Sequence, residues 1–530
     1  MTILIQGGTI LDGTGSPGYL GNLLIKEDRI EAILPPDVSA SADMVIDAKG
    51  RIVCPGFIDT HSHSDLQLLK DGVILPKLHQ GITTEILGQD GVSVAPLKDS
   101  DRDAWLESLS GLEGETPEGV TVSLPTVASY FSAIEQKKPV LNYAYLTPHG
   151  NLRLSVMGWE NSNAAEEQLR EMESLLRQTL EDGAVGLSTG LVYIPCVYGN
   201  QEELTRLCRI AAEYDVPLVV HQRSEGDDVL ESMDELIGAA EASGAHLHIS
   251  HFKVTSRRNL PKLDDVLRKV DEAKARGVRI TADQYPYIMG STMLGRVIPP
   301  WAHADGKLLE NLADPVIREK IREDILYTTT KWDNTISICT QEQIFVSSVT
   351  LPKNECFVGK NIVEIGAMVG KDPLDAMMDL LIEEENHVGM ICGDATEECM
   401  RRIQRRTDVC GCTDGLLGGK PHPRVYGAFP RVLGTYVREL GNLPLELAIY
   451  KMTGLPASIF HLKDRGQIRE GAFADIVVFD YETIWGNDDY LKPAQYARGI
   501  DAVLVNGVPA LLNGEEQLEV RGGRVLKPYR

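Results

Sequence analysis

Residues 183–286 carry four apolar runs in succession: GAVGLSTG (183–190), VPLVVHQ (216–222), AHLHISH (245–251) and VRITADQYP (278–286). Each run is short and ends in turn or polar residues. The stretches between them repeat their apolar residues at helical spacing, so this part of the chain is a reiterated strand and helix unit. Reading outward adds CPGFIDTH (54–61), ITTEILG (82–88) and LNYAYLTPHG (141–150) before it, and DVCGCTDG (408–415) after it. A helix is expected over 164–180, where Leu169, Met172, Leu176 and Leu180 form one apolar stripe and Gly183 stops it. Eight strand-then-helix units in one run predict an α/β fold, a (β/α)8 barrel.

Outside this run the texture changes. Short strands and Gly or Asn turns occupy 3–5, 22–25, 30–33 and 44–46, the first expected to stop at Gly7 and Gly8. The same texture returns after about 463, in DRGQIREGAFADIVVFD (464–480) and AVLVNGVPALLNGE (502–515). The two ends predict a small β-sandwich domain, 1–56 plus 463–530, beside a catalytic barrel of 57–287 plus 388–462; two separate β modules are the alternative. The connection after the seventh strand, 288–387, is too long for a loop. It holds Pro299, Pro300 and Trp301, a charged helix over 315–325 and a β-rich stretch to Val349, and is expected to be an inserted lid subdomain at the barrel mouth.

A length of 530 residues excludes a disulfide-stapled miniprotein, and 43% hydrophobic with 24% charged residues excludes global disorder. The 52 Lys and Arg against 77 Asp and Glu leave a net charge of -25, a field that repels nucleic acid and anionic lipid surfaces. An anionic small-molecule substrate therefore needs a local cluster of Lys or Arg. The 9 cysteines are scattered without a CxxC pair and read as reduced thiols of a cytoplasmic protein. MTILIQGGTILDG (1–13) lacks the basic start of a signal peptide, and no segment approaches the roughly 18 apolar residues of a membrane span, so no membrane association is expected.

In such a barrel the catalytic groups stand at the C-terminal ends of the strands. The first strand ends in His61 and His63, which point to one side because residues two apart in a strand do, and so can face one ion. The fifth ends in His221, the sixth in His251 and the eighth in Asp414. A lone HxH pair is as often a turn feature, and a core role suits His246 and His248, which precede their strand end. Four His and one Asp at four strand ends, in a chain with 12 His, point instead to a metal site. Imidazole with carboxylate suits Zn2+ or another borderline divalent ion, one or two of them.

Together GFIDTHSH (56–63), GLSTG (186–190), HQRSE (221–225), ISHFK (249–253), DQYPY (283–287), TDG (413–415) and PHPRVYGAFPRVLG (421–434) resemble the D-aminoacylase group, the N-acyl-D-amino-acid deacylases of the amidohydrolase superfamily. The resemblance spans nearly the whole chain. It implies metal-dependent hydrolysis of N-acyl-D-amino acids to a D-amino acid and a carboxylic acid. It makes His61 and His63 ligands of one metal position, His221 and His251 ligands of the other, and Asp414 both a metal ligand and the catalytic acid and base. Lys253, Tyr285 and Arg424 would hold the substrate α-carboxylate, with Ser291 and Tyr193 as further substrate contacts. The competing readings are a solvated loop Lys253 and a structural ion pair at Arg424.

One departure touches the metal. Where the family usually has Gly-Asn-Cys-Gly with the Cys on the metal, this chain has Gly88-Gln89-Asp90-Gly91. Asp90 is expected to ligate in place of the thiolate, a harder donor that tolerates Mn2+ or Fe2+ as readily as Zn2+; a plain turn residue is the alternative. His149 either assists the oxyanion or is a structural turn residue. The nearest rival is a cyclic-amide hydrolase of the hydantoinase or dihydroorotase type, which usually bridges its metals with a carboxylated Lys on the fourth strand, and GAVGLSTG has none. A deaminase would rely on a Glu near His221, and Glu225 sits in a stretch common to the deacylases. A non-catalytic barrel scaffold is the reading from another class. For the substrate side chain, Arg296 suits an acidic group, and Met289, Met293 or Leu294 an apolar one.

Overall fold

The computed structural model describes residues 1–529 except 115, 119, 121–122, 329–331 and 418–420. Parallel strands form at all eight expected positions. Phe57–Asp59 pairs with Ile82–Leu87, and that strand with Asn142–Tyr145. The same segment continues as Thr147–Pro148, which pairs with Leu187–Gly190, followed in order by Pro217–His221, His246–Ile249, Ile280–Gln284 and Val409–Gly411. Just beyond, Gly415–Leu416 pairs with Ser62–His63, so the last segment meets the continuation of the first.

Most of these strands are buried along their whole length, which is why they read as apolar runs rather than as alternating patterns. The helices cover them. Glu166–Asp182, two residues later than expected, buries Leu169, Met172, Leu176 and Leu180 against Leu187 and Leu218. It ends at Gly183, whose φ of 119° lets the backbone N–H turn back to the Leu180 carbonyl.

The two ends of the chain build one body rather than two modules. Nine strands form a single sheet, and its halves join where Ile52–Pro55 pairs antiparallel with Ile476–Phe479. Ile5, Ile25 and Val53 share a core there with Ile476 and Leu504. The first strand does not stop at Gly7 and Gly8. It runs over Thr2–Ile10 through a bulge between Ile5 and Gly8, and Gly7 at φ 81° absorbs the extra residue.

After Ile280–Gln284 the chain leaves this framework. Gly290–Met293 and Ile344–Ser348 both pair antiparallel with Gly389–Cys392. The insert therefore reaches past 387, because its closing strand is the central one of its own sheet. Pro315–Tyr327, Ile362–Val369 and Pro373–Glu383 are its longest helices, and the stretch expected to be β-rich up to Val349 holds only Ile344–Ser348 as strand among its described residues. No helix among the described residues is long and apolar enough to cross a membrane.

Candidate active site

The strand ends converge on one buried cluster. His61 and His63 flank Ser62, their ring centroids 5.3 Å apart. His221 and His251 come from the neighbourhood of two adjacent strands, and His221 Nδ1 faces His251 Nε2 at 2.8 Å. Asp90 lies between the two pairs. Its Oδ2 is 3.5 Å from Nε2 of both His61 and His63, and its Oδ1 is 3.9 Å from His221 Nδ1 and from His251 Nε2. Each carboxylate oxygen thus serves one histidine pair. Asp414 closes the cluster, with Oδ1 3.7 Å from His61 Nε2 and 3.6 Å from His63 Nε2.

The backbone is bent to achieve this. Asp90, His251 and Asp414 have φ of 55°, 31° and 49°, in the left-handed region that non-glycine residues seldom adopt. Such conformations cost about 1–3 kcal/mol each and persist where the surroundings over-determine them. Before Asp90, a side chain at Gly88 would bring a Cβ within 2.4 Å of the Leu146 carbonyl, so the turn that delivers Asp90 is closely packed.

The electrostatics suit a cation. Burial, and next the neighbouring His251, push His221 down to about 3, which keeps its imidazole neutral with a lone pair to donate. Burial works against an ionised Asp90, but His61 and then His63 outweigh it and hold the carboxyl well below its ordinary range. Both ring nitrogens of His61, Asp90 Oδ1 and His221 Nε2 are buried without a hydrogen-bond partner. Buried polar atoms left in that state cost about 1–3 kcal/mol each, and a divalent ion would satisfy them. Ligand-type atoms of His61, Asp90 and His251 lie within 4.8 Å of one another, as do those of His61, His63 and Asp414, and those of His221, Glu225 and His251. Imidazole and carboxylate in these groupings fit Zn2+.

Behind the cluster stand carboxylates that hold its members in place. Glu225 lies 3.0 Å from His251 Nδ1 and 2.9 Å from Lys253 Nζ, which turns His251 Nε2 toward the cluster. Asp283 accepts from the His251 backbone N–H at 2.5 Å and lies 3.0 Å from His248 Nε2. Asp59 binds Lys77 Nζ at 2.6 Å and the Thr413 hydroxyl at 2.6 Å, tying the first strand to the last beside His61 and Asp414. In the sequence Glu225 bears only on a deaminase, and Asp283 and Asp59 stand unassigned. Of the three, Asp59 carries a signal in its place two residues before His61, whereas Glu225 lies four past His221 and Asp283 is adjacent to no ligand in sequence.

The expected carboxylate readers also meet. Lys253 and Arg424 are buried and flank the Tyr285 ring, Lys253 Nζ at 5.5 Å and Arg424 Cζ at 4.7 Å from its centroid. A solvated loop role for Lys253 is thereby excluded. Arg424 Nη1 reaches Asp414 Oδ2 at 2.8 Å, and Nη2 donates to the Ser291 carbonyl at 3.0 Å, so Ser291 takes part through its backbone. Burial opposes ionisation of Asp414, but Arg424 and then His61 hold its carboxyl far below the usual range. Tyr193 packs its ring 5.3 Å from that of His221 and shares a 3.0 Å hydrogen bond with the Thr292 hydroxyl.

His149 fits the structural reading, since both of its ring nitrogens meet protein groups. Its Nε2 lies 2.6 Å from Glu203 Oε1 and its Nδ1 2.9 Å from the Thr189 hydroxyl, while Arg153 binds the same Glu203. His246 and His248 both contact the Thr281 hydroxyl. A cavity of about 800 Å³ is lined by Val92, Leu191 and Tyr193, whose ring packs on His221, and by Met293 and Arg296 of the insert. Arg296 is balanced there by Asp333 at 2.6 Å. Leu294 packs into the core of the insert, away from that wall.

The model of the amidohydrolase family matches residues 44–510. The N-acyl-D-glutamate deacylase of Alcaligenes xylosoxydans xylosoxydans is 36% identical over 509 residues, 96% of this chain and 93% of that protein. A D-aminoacylase of the same organism is 32% identical over 517 residues, 96% of this chain and 94% of that one. Among solved structures, the N-acyl-D-glutamate deacylase of Bordetella bronchiseptica, complexed with zinc and a phosphonate mimic of the tetrahedral intermediate, matches with a TM-score of 0.85 at 32% identity and covers 99% of each chain.

Proposed function

Because the chain belongs to the amidohydrolase family, we propose that it hydrolyses the amide bond of N-acyl-D-amino acids, releasing a D-amino acid and a carboxylic acid. The observation that carries this reading is Asp90 set between the pairs His61/His63 and His221/His251, with Asp414 beside them. Relatives similar along nearly their whole length are deacylases of this kind.

His61, His63, Asp90, His221, His251 and Asp414 would hold one or two divalent ions. Zn2+ follows from the donor set and from the zinc in the Bordetella relative, and the carboxylate also admits Mn2+ or Fe2+. A bound ion supplies Lewis acidity at the scissile carbonyl and lowers the pKa of a water molecule toward about 7. The chain does the rest. Asp414 takes the proton of the attacking water and returns it to the amide nitrogen, which cannot leave as an anion. Lys253, Tyr285 and Arg424 take the α-carboxylate and so fix the amide over Asp414, while Tyr193 bounds the site on the cavity side. Leu187–Gly190 offers no lysine for the bridge typical of cyclic-amide hydrolases, and Asp90 occupies the position between the two histidine pairs.

We read the parallel strands as a (β/α)8 barrel of 57–287 and the residues after the insert up to 462, its ring closed where Gly415–Leu416 meets Ser62–His63. The sheet of 1–56 plus 463–530 is its small β domain, and the insert is its lid. The nine free thiols, eight of them buried, suit a cytoplasmic protein. The test is release of free amine from N-acetyl-D- and N-acetyl-L-amino acids with and without chelator. Chelator-sensitive release from the D series alone is expected; release from neither series defeats the reading.

A further inference from the structure

The two cations around Tyr285 are already spoken for. Lys253 Nζ meets Glu225 at 2.9 Å, and Arg424 Nη1 meets Asp414 at 2.8 Å. A third carboxyl stands with them. Asp394 follows Gly389–Cys392, the closing strand of the insert, and its backbone is tied on both sides. Its carbonyl accepts from the Ser256 N–H at 2.8 Å, three residues past Lys253, and the Ala395 N–H donates to the Ile288 carbonyl at 3.1 Å. The side chain closes on Gly290, where a Cβ would lie 2.7 Å from Asp394 Oδ2 and 3.5 Å from the Tyr285 hydroxyl, so a glycine there lets the carboxyl come up to the phenol. Ser291, next in the chain, gives its carbonyl to Arg424. Asp394 Oδ1 is buried without a hydrogen-bond partner among the described residues. The charges that reach Asp394 are those of Lys253, Glu225, Arg296 and Arg424, with Arg296 balanced by Asp333 at 2.6 Å. Its other titratable neighbours stay neutral: burial lifts Tyr285 and Tyr490, and Cys339 lifts Cys392. Burial raises Asp394 itself to about 6 against the pull of Lys253.

We propose that Asp394 reads the substrate's α-carboxylate as a neutral acid, the two carboxyl groups sharing one proton beside Lys253, Tyr285 and Arg424. This rests on the deacylase reading above and deepens it. A bound α-carboxylate makes four carboxyl groups around two cations, and carboxylates crowded into one site do not all ionise. Asp394, with one oxygen uncommitted, is the member that takes the proton. The proton comes from solvent as the substrate binds and returns to it when the D-amino acid leaves. An ionised Asp394 repels the substrate, so the residue sets both the affinity for free acids and its pH dependence.

The test measures KM and kcat for one N-acetyl-D-amino acid and for its amide between pH 5 and 8.5, in the wild type and in Asp394→Asn. The wild-type KM for the free acid should climb above pH 6, by up to about tenfold for each pH unit, while that for the amide stays level. Asp394→Asn keeps a neutral donor, so its KM for the free acid should stay level and, at pH 8, lie at least tenfold below that of the wild type. A wild-type KM that ignores pH, or that moves in parallel in the variant, overturns the proposal. A variant whose KM rises alike for acid and amide also overturns it, since a merely structural Asp394 gives that result. If neither substrate is cleaved the deacylase reading falls, and binding then decides for Asp394 by itself. Titration calorimetry of the free acid at pH 7.5, in buffers of different ionisation enthalpy, should show uptake of about one proton by the wild type and none by Asp394→Asn. No uptake, or no binding, in the wild type overturns the proposal. Should the variant not fold, the wild-type KM profile and proton uptake decide.

Discussion

Arg424 Nη1 stands 2.8 Å from Asp414 Oδ2, both side chains buried, so the cation placed for the substrate carboxylate is already paired with the acid and base. A substrate must share this guanidinium with Asp414. Arg424→Ala should then act twice. Free-acid substrates should lose about 30-fold to several thousand-fold in kcat/KM, as expected for a charge-assisted pair of about 2–5 kcal/mol. N-acyl amino amides, which carry no carboxylate, should lose about tenfold in kcat alone as Asp414 loses its support. Separate kcat and KM values on both substrate series check this; identical losses on the two would show that Arg424 serves Asp414 only.

Removing the proton carrier while keeping the shape tests the chemistry. Asp414→Asn should retain metal, since His61, His63, Asp90, His221 and His251 remain, while kcat falls by about 10^2-fold or more. Turnover near that of the wild type would end the role given to Asp414.

Asp90 makes the sharpest prediction about metal. With one oxygen toward each histidine pair, Asp90→Ala should lose metal, and Asp90→Cys should recover Zn2+, because thiolate is a strong Zn2+ ligand. The wild type should accept Mn2+ more readily than the Cys variant. Elemental analysis of the three proteins purified side by side gives the answer. Full metal content and unchanged activity in Asp90→Ala would reduce Asp90 to a turn residue.

The pair His149 and Glu203 sets a pH dependence of stability. Burial disfavours a charged His149, but Cys196 and Glu203 beside it raise it to about 9. Burial likewise opposes Glu203, yet His149 and Arg153 lower it to about 2, so it stays ionised at neutral pH. A raised histidine gives its full stabilisation below its ordinary value near 6.5 and loses it as pH rises through about 9. The wild type should therefore weaken between pH 7 and 9.5, by up to about 3 kcal/mol from this group. His149→Gln should be weaker at pH 7 and flatter over that interval. Urea melts at several pH values check it, and parallel curves for the two proteins would refute it.

The strands were legible because burial on both faces writes apolar runs into the sequence, and the histidines because each closes or follows such a run. The insert's closing strand was not. Gly389–Cys392 is four residues long and looks like any buried segment until its partners Gly290–Met293 and Ile344–Ser348 are in place. The continuation of the first strand through Gly7 was hidden for another reason, since a glycine that ends a strand and one that bulges it are the same letter. The pairing of Arg424 with Asp414 and of Glu225 with His251 depends on how side chains from different strand ends orient in the mouth, and no period in the sequence encodes that.

Ile52–Pro55 finds its partner Ile476–Phe479 about 420 residues later in the chain. At ribosomal speeds of about 5–20 residues per second, the first strands wait roughly 20–80 s before the segment that seals them is made. Through that interval the nascent chain carries an open sheet edge, the kind of surface on which chains join one another. Premature stop codons between Asp414 and Ile476 would leave the edge open for good. Such truncated products should be removed by proteolysis or trapped in aggregates even though every metal ligand has been translated.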